Sequence, residues 1–529
     1  MGSRRRKHWG WGWEDQQPSV QQLREAAPTI AQTLGVDVGE PRAPVPLEGA
    51  QLPEPRVAPP AALADISDAG EHARASHALG KSYCDVVDGF NGRFEHAPDV
   101  VLRPRSEGDL ERALEWCSGE RVAAIPYGGG TSVVGGVTPR VGSGYNGAAS
   151  IDMGALDRVL EVDEVSRSAR IQAGALGPAL EEQLRGHGYT LRHFPQSFEY
   201  STLGGWVATR AGGHFATLWT HIDDFVESVR AITPAGAWES RRLPGSGAGV
   251  SPDRMLVGSE GALGVITEAW VRVQPRPTHR SSAGVRFPDL LSGAECVRAL
   301  SQSGLHPSNC RLLDPGEAAL TKAGDGTHAL LVLGFESTDH SVEESMRRAL
   351  EICAEHDGAA GEARSGEGGD AVGSWREAFL GAPYVRDSFV ALGVLSETFE
   401  TAITWERFPA FHASVSAAAT EAVREVCGGG HVFCRFTHVY PNGPAPYFTV
   451  IAPARRGEEV EQWRAIKRAA SDALIAAGGT ITHHHAVGRD HRPWYDRQRP
   501  DAFAMGLRAA KDVLDPADVM NPGVLVDPR

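Results

Sequence analysis

Three successive glycines, Gly128, Gly129 and Gly130, stand directly behind the apolar run VAAIP and are followed by Thr131 and Ser132. A strand that ends this way turns through bare backbone and presents a row of amide N–H groups that can cradle a pyrophosphate, and a side chain there would occupy the place of the phosphates. The loop IPYGGGTSVVGG has neither the GxGxxG of dinucleotide folds nor the lysine of a P-loop, so those two folds are not indicated. Taken alone, such a run is more often a plain turn. Its surroundings constrain it further. PDVVLRP is a buried apolar run, Ser106 and Asp109 start a helix, and Leu110, Ala113, Leu114 and Cys117 mark that helix's inner face before VAAIP gives the next strand. This is the βαβ rhythm of an α/β layer, and short strands around Ile151, Leu160 and Ile171 with a helix from about Leu176 to Arg185 continue it.

Two further glycine segments follow. PQSFEYSTLGGWVATRAGG begins at Pro195 and offers Ser201 and Thr202 as helix caps ahead of Gly204 and Gly205, and GSEGALGVITEA begins at Gly258. Each is explicable as structure, but three in this order and spacing are hard to obtain from turns alone. Behind VITEAWVRVQPRP a second unit is predicted, with strands at 284–287, 310–313, 330–335, 433–439 and 447–451, a helix to about Leu300, and another from about Glu458 that stops at Gly478 and Gly479. Residues 357–374 hold almost nothing to bury and are expected to form a mobile loop or lid. The proline-crowded stretch 36–62 reads as an extended connector behind an N-terminal arm.

The formal charge of −15 over 529 residues disfavours nucleic acid, and any phosphate in a substrate must be met by a few local arginines. Seven scattered cysteines without a CxxC pair exclude the usual iron-sulfur and zinc spacings and point to reduced thiols in a cytoplasm. Arg4, Arg5, Arg6 and Lys7 are followed by tryptophan and glycine rather than the apolar run of a signal peptide. No stretch approaches the roughly 20 apolar residues of a membrane span, so membrane contact is at most peripheral. Arginine outnumbers lysine in a chain rich in alanine and glycine, the composition of a GC-rich bacterial genome.

The three glycine segments together resemble the flavin-binding segments of the vanillyl-alcohol-oxidase family. Within that family WGWGWED, TLGVDVG, PYGGGTSV, STLGGWVATRAGG, IDDFVESVRAITPAG, GSEGALGVITEA, PYVRD, PNGPAPYF and HHHAVG resemble the alkyldihydroxyacetonephosphate synthases, over nearly the whole chain. The resemblance implies an α+β architecture in which two subdomains of the p-cresol methylhydroxylase and vanillyl-alcohol-oxidase type enclose FAD and an α+β cap supplies the substrate site. The expected divisions are an arm and connector over 1–95, the FAD-binding domain over 96–277, the cap over 278–495, and a segment 496–529 packing back near the FAD. The expected FAD contacts are Pro126, Tyr127, Gly128, Gly129, Gly130, Thr131 and Ser132 in the first segment. The second contributes Gln196, Ser197, Ser201, Thr202, Leu203, Gly204, Thr209, Arg210 and Ala211, and the third Gly258, Ser259, Glu260, Gly261, Ala262, Leu263 and Gly264. With no His or Cys in these loops, the binding is expected to be non-covalent.

Arg386 matches the family's substrate-binding arginine, Tyr447 its catalytic tyrosine, and His483, His484 and His485 its histidine cluster. The implied reaction replaces the acyl group of acyl-dihydroxyacetone phosphate by a fatty alcohol: a proton leaves the carbon bearing the ester, carboxylate departs, a flavin nitrogen holds the carbon, and the alcohol attacks without net redox change. A guanidinium suits the phosphate, and His and Tyr suit the proton traffic. On residue type alone the histidines are also a candidate metal site, with His483 and His485 on one side of a strand, although no metal is expected. Tyr447 in a strand is more often a core residue, and Arg311 and Arg435 are supporting candidates only. A homodimer is compatible with the sequence. The alternative reading is a flavoenzyme oxidising a 2-hydroxy acid such as lactate or glycolate. Those relatives carry a pattern resembling HxxGDGNxH, whereas HVYPNGPAPYF keeps His438 and Gly443 without the acidic residue and second histidine.

Overall fold

In the computed structural model, which describes residues 5–361, 364–365, 381 and 384–529, the runs flanking the first glycine loop form a small sheet. Strands Val100–Leu102, Gly147–Asp152 and Val122–Tyr127 lie parallel, and Ser67–Asp68 pairs antiparallel at the edge. Their buried and, Ser150 and Asp152 apart, non-polar character is what a parallel sheet covered on both faces requires. Helix Glu107–Gly119 starts where Ser106 accepts the amide of Asp109, and it packs Leu110, Ala113, Leu114 and Cys117 inward. The glycine loop therefore leaves the carboxyl end of its strand, the end at which open α/β sheets bind ligands.

A second, antiparallel sheet orders Val159–Asp163, Ser168–Gln172, Val265–Arg272, Val226–Thr233 and Gly236–Glu239 side by side. Helix Leu203–Thr209 packs on it through Leu203, Trp206 and Val207. Of the two expected caps only Thr202 acts as one, accepting the Gly205 amide at 3.3 Å. Ser201 instead accepts the Trp206 indole N–H at 2.7 Å and donates to the carbonyl of Ser197 at 2.9 Å.

The third sheet has eight antiparallel strands, among them Asn309–Leu313, His431–Tyr440, Gly443–Pro453 and Val394–Glu400. Register places Glu400, Tyr447 and Arg435 in one row across three neighbouring strands. Since side chains alternate along a strand, Ser396, Thr398, Glu400, Tyr447, Thr449, Arg435 and Thr437 share one face. The other face carries Leu395, Phe399, Cys434, Phe436, Phe448 and Val450, buried with Phe408 and Phe411 of helix Phe408–Cys427. A bulge between Phe436 and His438 lets the consecutive residues Thr437 and His438 both reach the polar side.

Two expectations change. The segment 357–374 begins as sheet rather than loop, because Ala359–Ala360 and Arg364–Ser365 pair with the edge strand His279–Phe287. Its remainder, 366–374 with 362–363, lies outside the described residues. The N-terminal stretch is not a free arm. Trp9 and Trp11 are buried, and burying these indoles draws the flanking cations inward: Lys7 pairs with buried Asp387 at 2.8 Å, and Arg6 donates to the carbonyl of Gly129 at 3.1 Å. The connector 36–62 is extended, broken by single turns at Leu47–Gly49 and from Ala61 onward.

The end of the chain returns to the glycine segments. Lys511, fully buried in helix Asp501–Leu514, donates to the carbonyls of Ala262 at 2.9 Å and Met520 at 2.7 Å and to Asp515 at 2.9 Å. Lys511→Met keeps the volume and leaves one buried carboxylate and two carbonyls without their cation. The expected loss is about 3–5 kcal/mol, the scale for breaking a buried ion pair. Urea unfolding reads it as a lower midpoint at unchanged slope, and a loss below about 1 kcal/mol would show that the C-terminal helix does not anchor the third segment.

Candidate active site

Two cavities of about 330 Å³ and about 570 Å³ meet at the first glycine loop, sharing Trp11, Gly128, Gly129, Thr131 and Thr202 in their walls. A Cβ on Gly129 would lie 1.6 Å from the carbonyl oxygen of Tyr200, so the neighbouring backbone already excludes a side chain there, before any ligand is considered. Gly130 holds φ at +68°, which glycine adopts without strain. The amide N–H groups of Gly129, Gly130, Thr131 and Ser132 find no acceptor among the described residues, and the buried hydroxyl of Ser259 is likewise unpartnered. Buried donors are seldom left orphaned in a native protein, and four in succession fit the oxygens of a pyrophosphate.

Tyr127, residues 128–132, Gln196, Ser197, Ser201, Thr202, Thr209 and Ala211 line these cavities, while Pro126, Leu203, Gly204, Arg210 and residues 258–264 do not. The exceptions have packing roles. A Cβ on Gly204 would meet Ala173 at 2.6 Å, one on Gly261 would meet Pro126 at 2.7 Å, and Arg210 turns away to Asp223. Glu260 accepts the amides of Val487 and Gly488 at 2.9 and 2.8 Å, and burial pushes its carboxyl up to about 7. The third segment thus braces the first loop and the histidine loop from behind.

The polar face of the third sheet forms the opposite wall of the larger cavity. Arg435 lies 4.0 Å over the ring of Tyr447 and is ion-paired with buried Glu317; burial works against its charge, but Glu317 and the neighbouring groups together hold its guanidinium above the ordinary value. Arg311 lies deeper, and burial, aided by the charge of Arg435, brings its guanidinium down to about 9. Arg386 sits on a helical stretch at 384–391, lines the same cavity, and donates to the carbonyl of Lys81 at 2.9 Å. Its neighbour Asp387 carries the ion pair to Lys7 and accepts the Trp11 amide at 3.0 Å, so the N-terminal segment fixes the base of that stretch.

His483, His484 and His485 lie in a loop and not on a strand. The buried carboxylate of Glu400 accepts the amides of all three, at 2.5, 3.2 and 2.9 Å, and the hydroxyl of Thr482 at 2.6 Å. Burial alone would raise this carboxyl, but His485, His483 and these donors hold it below the usual carboxylate range. The clamp turns successive side chains apart: His484 and His485 line the cavity, whereas His483 faces Tyr440 and His438. The metal pair suggested for His483 and His485 is therefore not formed. His438, His483 and His484 do bring ring nitrogens within 4.8 Å of one another, but hydrogen bonds occupy both nitrogens of His438 and of His483. Burial lowers all four imidazoles, His484 to about 3, with His221, Arg435 and Arg311 adding to the effect.

Sequence reading missed Glu400 and Glu317 as parts of this site, met His438 only in the hydroxy-acid alternative, and gave Arg311 and Arg435 only a supporting place. The period-2 pattern of VLSETFE, with Glu400 in phase with Ser396 and Thr398, was the available signal for the clamp. Nothing local marked its partners.

Comparison with known proteins agrees with this geometry. Residues 98–240 match the family of FAD binding domains and residues 276–525 that of FAD linked oxidases, C-terminal domain. The alkyldihydroxyacetonephosphate synthase of Caenorhabditis elegans is 30% identical over 484 residues, covering 85% of this chain and 79% of that protein. A solved structure of alkyldihydroxyacetonephosphate synthase superposes with a TM-score of 0.80 at 26% identity, over 98% of both chains. p-Cresol methylhydroxylase with substrate bound shares the fold at a TM-score of 0.68 and 14% identity, over 88% of this chain and 94% of its own. The fold is thus the two-subdomain FAD-binding architecture with an α+β cap, and FAD is the cofactor whose pyrophosphate the free amides fit.

The neutral histidines tie stability to pH. His484 has a folded pKa far below the roughly 6.5 of an unfolded chain, so its contribution is complete above about pH 6.5 and is lost as pH falls towards 3. Thermal and urea unfolding should show wild type losing about 1 kcal/mol more than His484→Gln between pH 6.5 and 5.5; parallel losses in the two proteins would mean that the ring is charged in the fold. Glu400→Ala should cost about 3 kcal/mol or more, since three amides and a hydroxyl lose a charged acceptor, while flavin absorbance is retained.

Proposed function

The chain belongs to the alkyldihydroxyacetonephosphate synthase family of FAD-linked enzymes, and on that premise we propose that it exchanges the acyl group of an acyl-dihydroxyacetone phosphate for a fatty alcohol. The carrying observation is one cavity walled both by the guanidinium groups of Arg311, Arg386 and Arg435 and by the apolar side chains of Ile30, Leu34, Leu320 and Phe389. A phosphorylated head on a long acyl chain needs both surfaces together. In a protein of net charge −15, fixed arginines are what admit a phosphate, and their planar donors pair with its oxygens.

Residues 129–132 would hold the pyrophosphate of FAD non-covalently through their amides, with Thr202 alongside. Bound FAD supplies an electron-accepting ring at which the glycerone carbon reacts. The protein's share is positional and protonic. The guanidinium groups orient the head, the apolar wall takes the chain, and Tyr447 and His484, whose rings stack at 6.0 Å, move the proton of the carbon that bears the ester.

Mass analysis after incubating the yellow holoenzyme with acyl-dihydroxyacetone phosphates and fatty alcohols should reveal the alkyl product and free fatty acid. No alkyl product across the panel, with anaerobic bleaching of the flavin by lactate or glycolate, would instead establish hydroxy-acid oxidation. Tyr447→Phe should retain flavin and lose about a hundredfold in turnover, the scale of a lost general acid or base. Arg386→Lys should lower kcat/KM by about 1.5–3 kcal/mol, the scale of a hydrogen bond to a charged group, with flavin content unchanged.

A further inference from the structure

Beyond the cavity the hydrogen bonds of the histidine loop continue to Tyr440, Thr220 and His221, and from their geometry we infer that these three are positioning residues fixing which nitrogen of His484 carries its proton. The tautomer follows from the hydrogen-bond geometry around a singly protonated His221; only the reaction that His484 serves rests on the proposed function.

The deduction starts at an atom with one possible role. A carbonyl oxygen can only accept, and that of His483 receives Nε2 of His221 at 2.9 Å, so Nε2 carries a proton and, in the singly protonated ring, Nδ1 is bare. That Nδ1 lies 3.0 Å from the hydroxyl of Thr220, which donates its single proton there. The Thr220 oxygen is then the acceptor in its 2.9 Å contact with Tyr440, and the Tyr440 proton points at it. The Tyr440 oxygen is left to accept at 2.7 Å from Nε2 of His483, which places that ring's proton on Nε2. Nδ1 of His483 is consequently bare, and it lies 3.1 Å from Nδ1 of His484. Two bare nitrogens would repel, so the proton between them belongs to His484. Its Nε2 keeps the lone pair and, with no hydrogen bond to any described residue, is the polar atom the ring offers to the cavity.

Five hydrogen bonds thus convert the fixed direction of one carbonyl into a base aimed at the cavity. Thr220 is the joint at which the chain can be cut without disturbing a ring, since valine has its shape and no hydroxyl. The charged and titratable groups around the chain are Asp223, Asp224 and Arg210 near Tyr440, Glu400 and His485 beneath the loop, His438 beside it, and Arg311 and Arg435 across the cavity.

The test is nitrogen-15 NMR on histidine-labelled FAD-loaded enzyme, with the His484 signal assigned by its disappearance in His484→Gln, run alongside steady-state kinetics. Wild type and Thr220→Ser should show His484 protonated on Nδ1, and Thr220→Val should show its proton moved to Nε2 or shared between the nitrogens. In step with this, kcat should fall about a hundredfold in Thr220→Val, recover in Thr220→Ser, and leave KM and flavin content unchanged. A wild-type His484 protonated on Nε2, or a Thr220→Val variant with unaltered tautomer and turnover, would overturn the inference. If the tautomers behave as expected but wild type makes no alkyl product, the positioning chain stands and the assigned reaction falls.

Discussion

The carboxylate of Glu400 is the point on which this site is built. It is buried, charged, and spends its lone pairs on the amides of three consecutive histidines and the hydroxyl of Thr482. Backbone amides seldom converge on one acceptor outside a helix start, and here the convergence bends the chain so that adjacent imidazoles diverge. Glu400 has no freedom of its own, because strand register sets it opposite Tyr447, which is set opposite Arg435. The sheet therefore places the anion, the anion places the loop, and the loop places the imidazoles against the wall that carries the arginines.

Charge is distributed to match. The chain is strongly acidic overall, yet buried Arg311 and Arg435 and half-buried Arg386 line the larger cavity, with Glu317 neutralising Arg435 and the histidines held uncharged by burial. An anionic ligand entering there would meet fixed guanidinium groups and the ring of His484, whose Nε2 has no hydrogen bond to any described residue. The same economy explains the N-terminus, whose indoles lie in the main core while Lys7 and Arg6 reach Asp387 and the glycine loop. A stretch that looks like a solvated basic tail in sequence is instead part of the cavity wall.

Much of the scaffold was legible from local pattern. Ser106 marked a helix start, Gly478 a helix end, and the strands around Ile151, Leu160 and Ile171 lie where their apolar runs predicted. The glycine loop was legible only in company, because bare backbone behind a strand is by itself more often a plain turn and the two further glycine segments gave it its reading. The third glycine segment was recognisable as a pattern, but it turned out to pack behind the first loop: Gly261 sits under Pro126 and Glu260 reaches Val487, more than two hundred residues onward. Sequence distance hid that role.

By itself the sequence determined the periodicities, the turns and the inventory of groups, because those depend on neighbours within a few residues: alternation in VLSETFE sets which side chains share a face, and a glycine at positive φ sets where a chain can turn. What only the tertiary structure decided is which of those groups meet. Register between strands far apart in the chain brought Glu400, Tyr447 and Arg435 into one row, a bulge turned Thr437 and His438 to the same side, and the loop behind the second glycine segment, held where the Val439 amide donates to the Ala216 carbonyl, put Thr220 within reach of Tyr440. The direction of a proton on His484 is the furthest of these consequences, since it depends on an oxygen, a hydroxyl and a phenol that no local pattern connects.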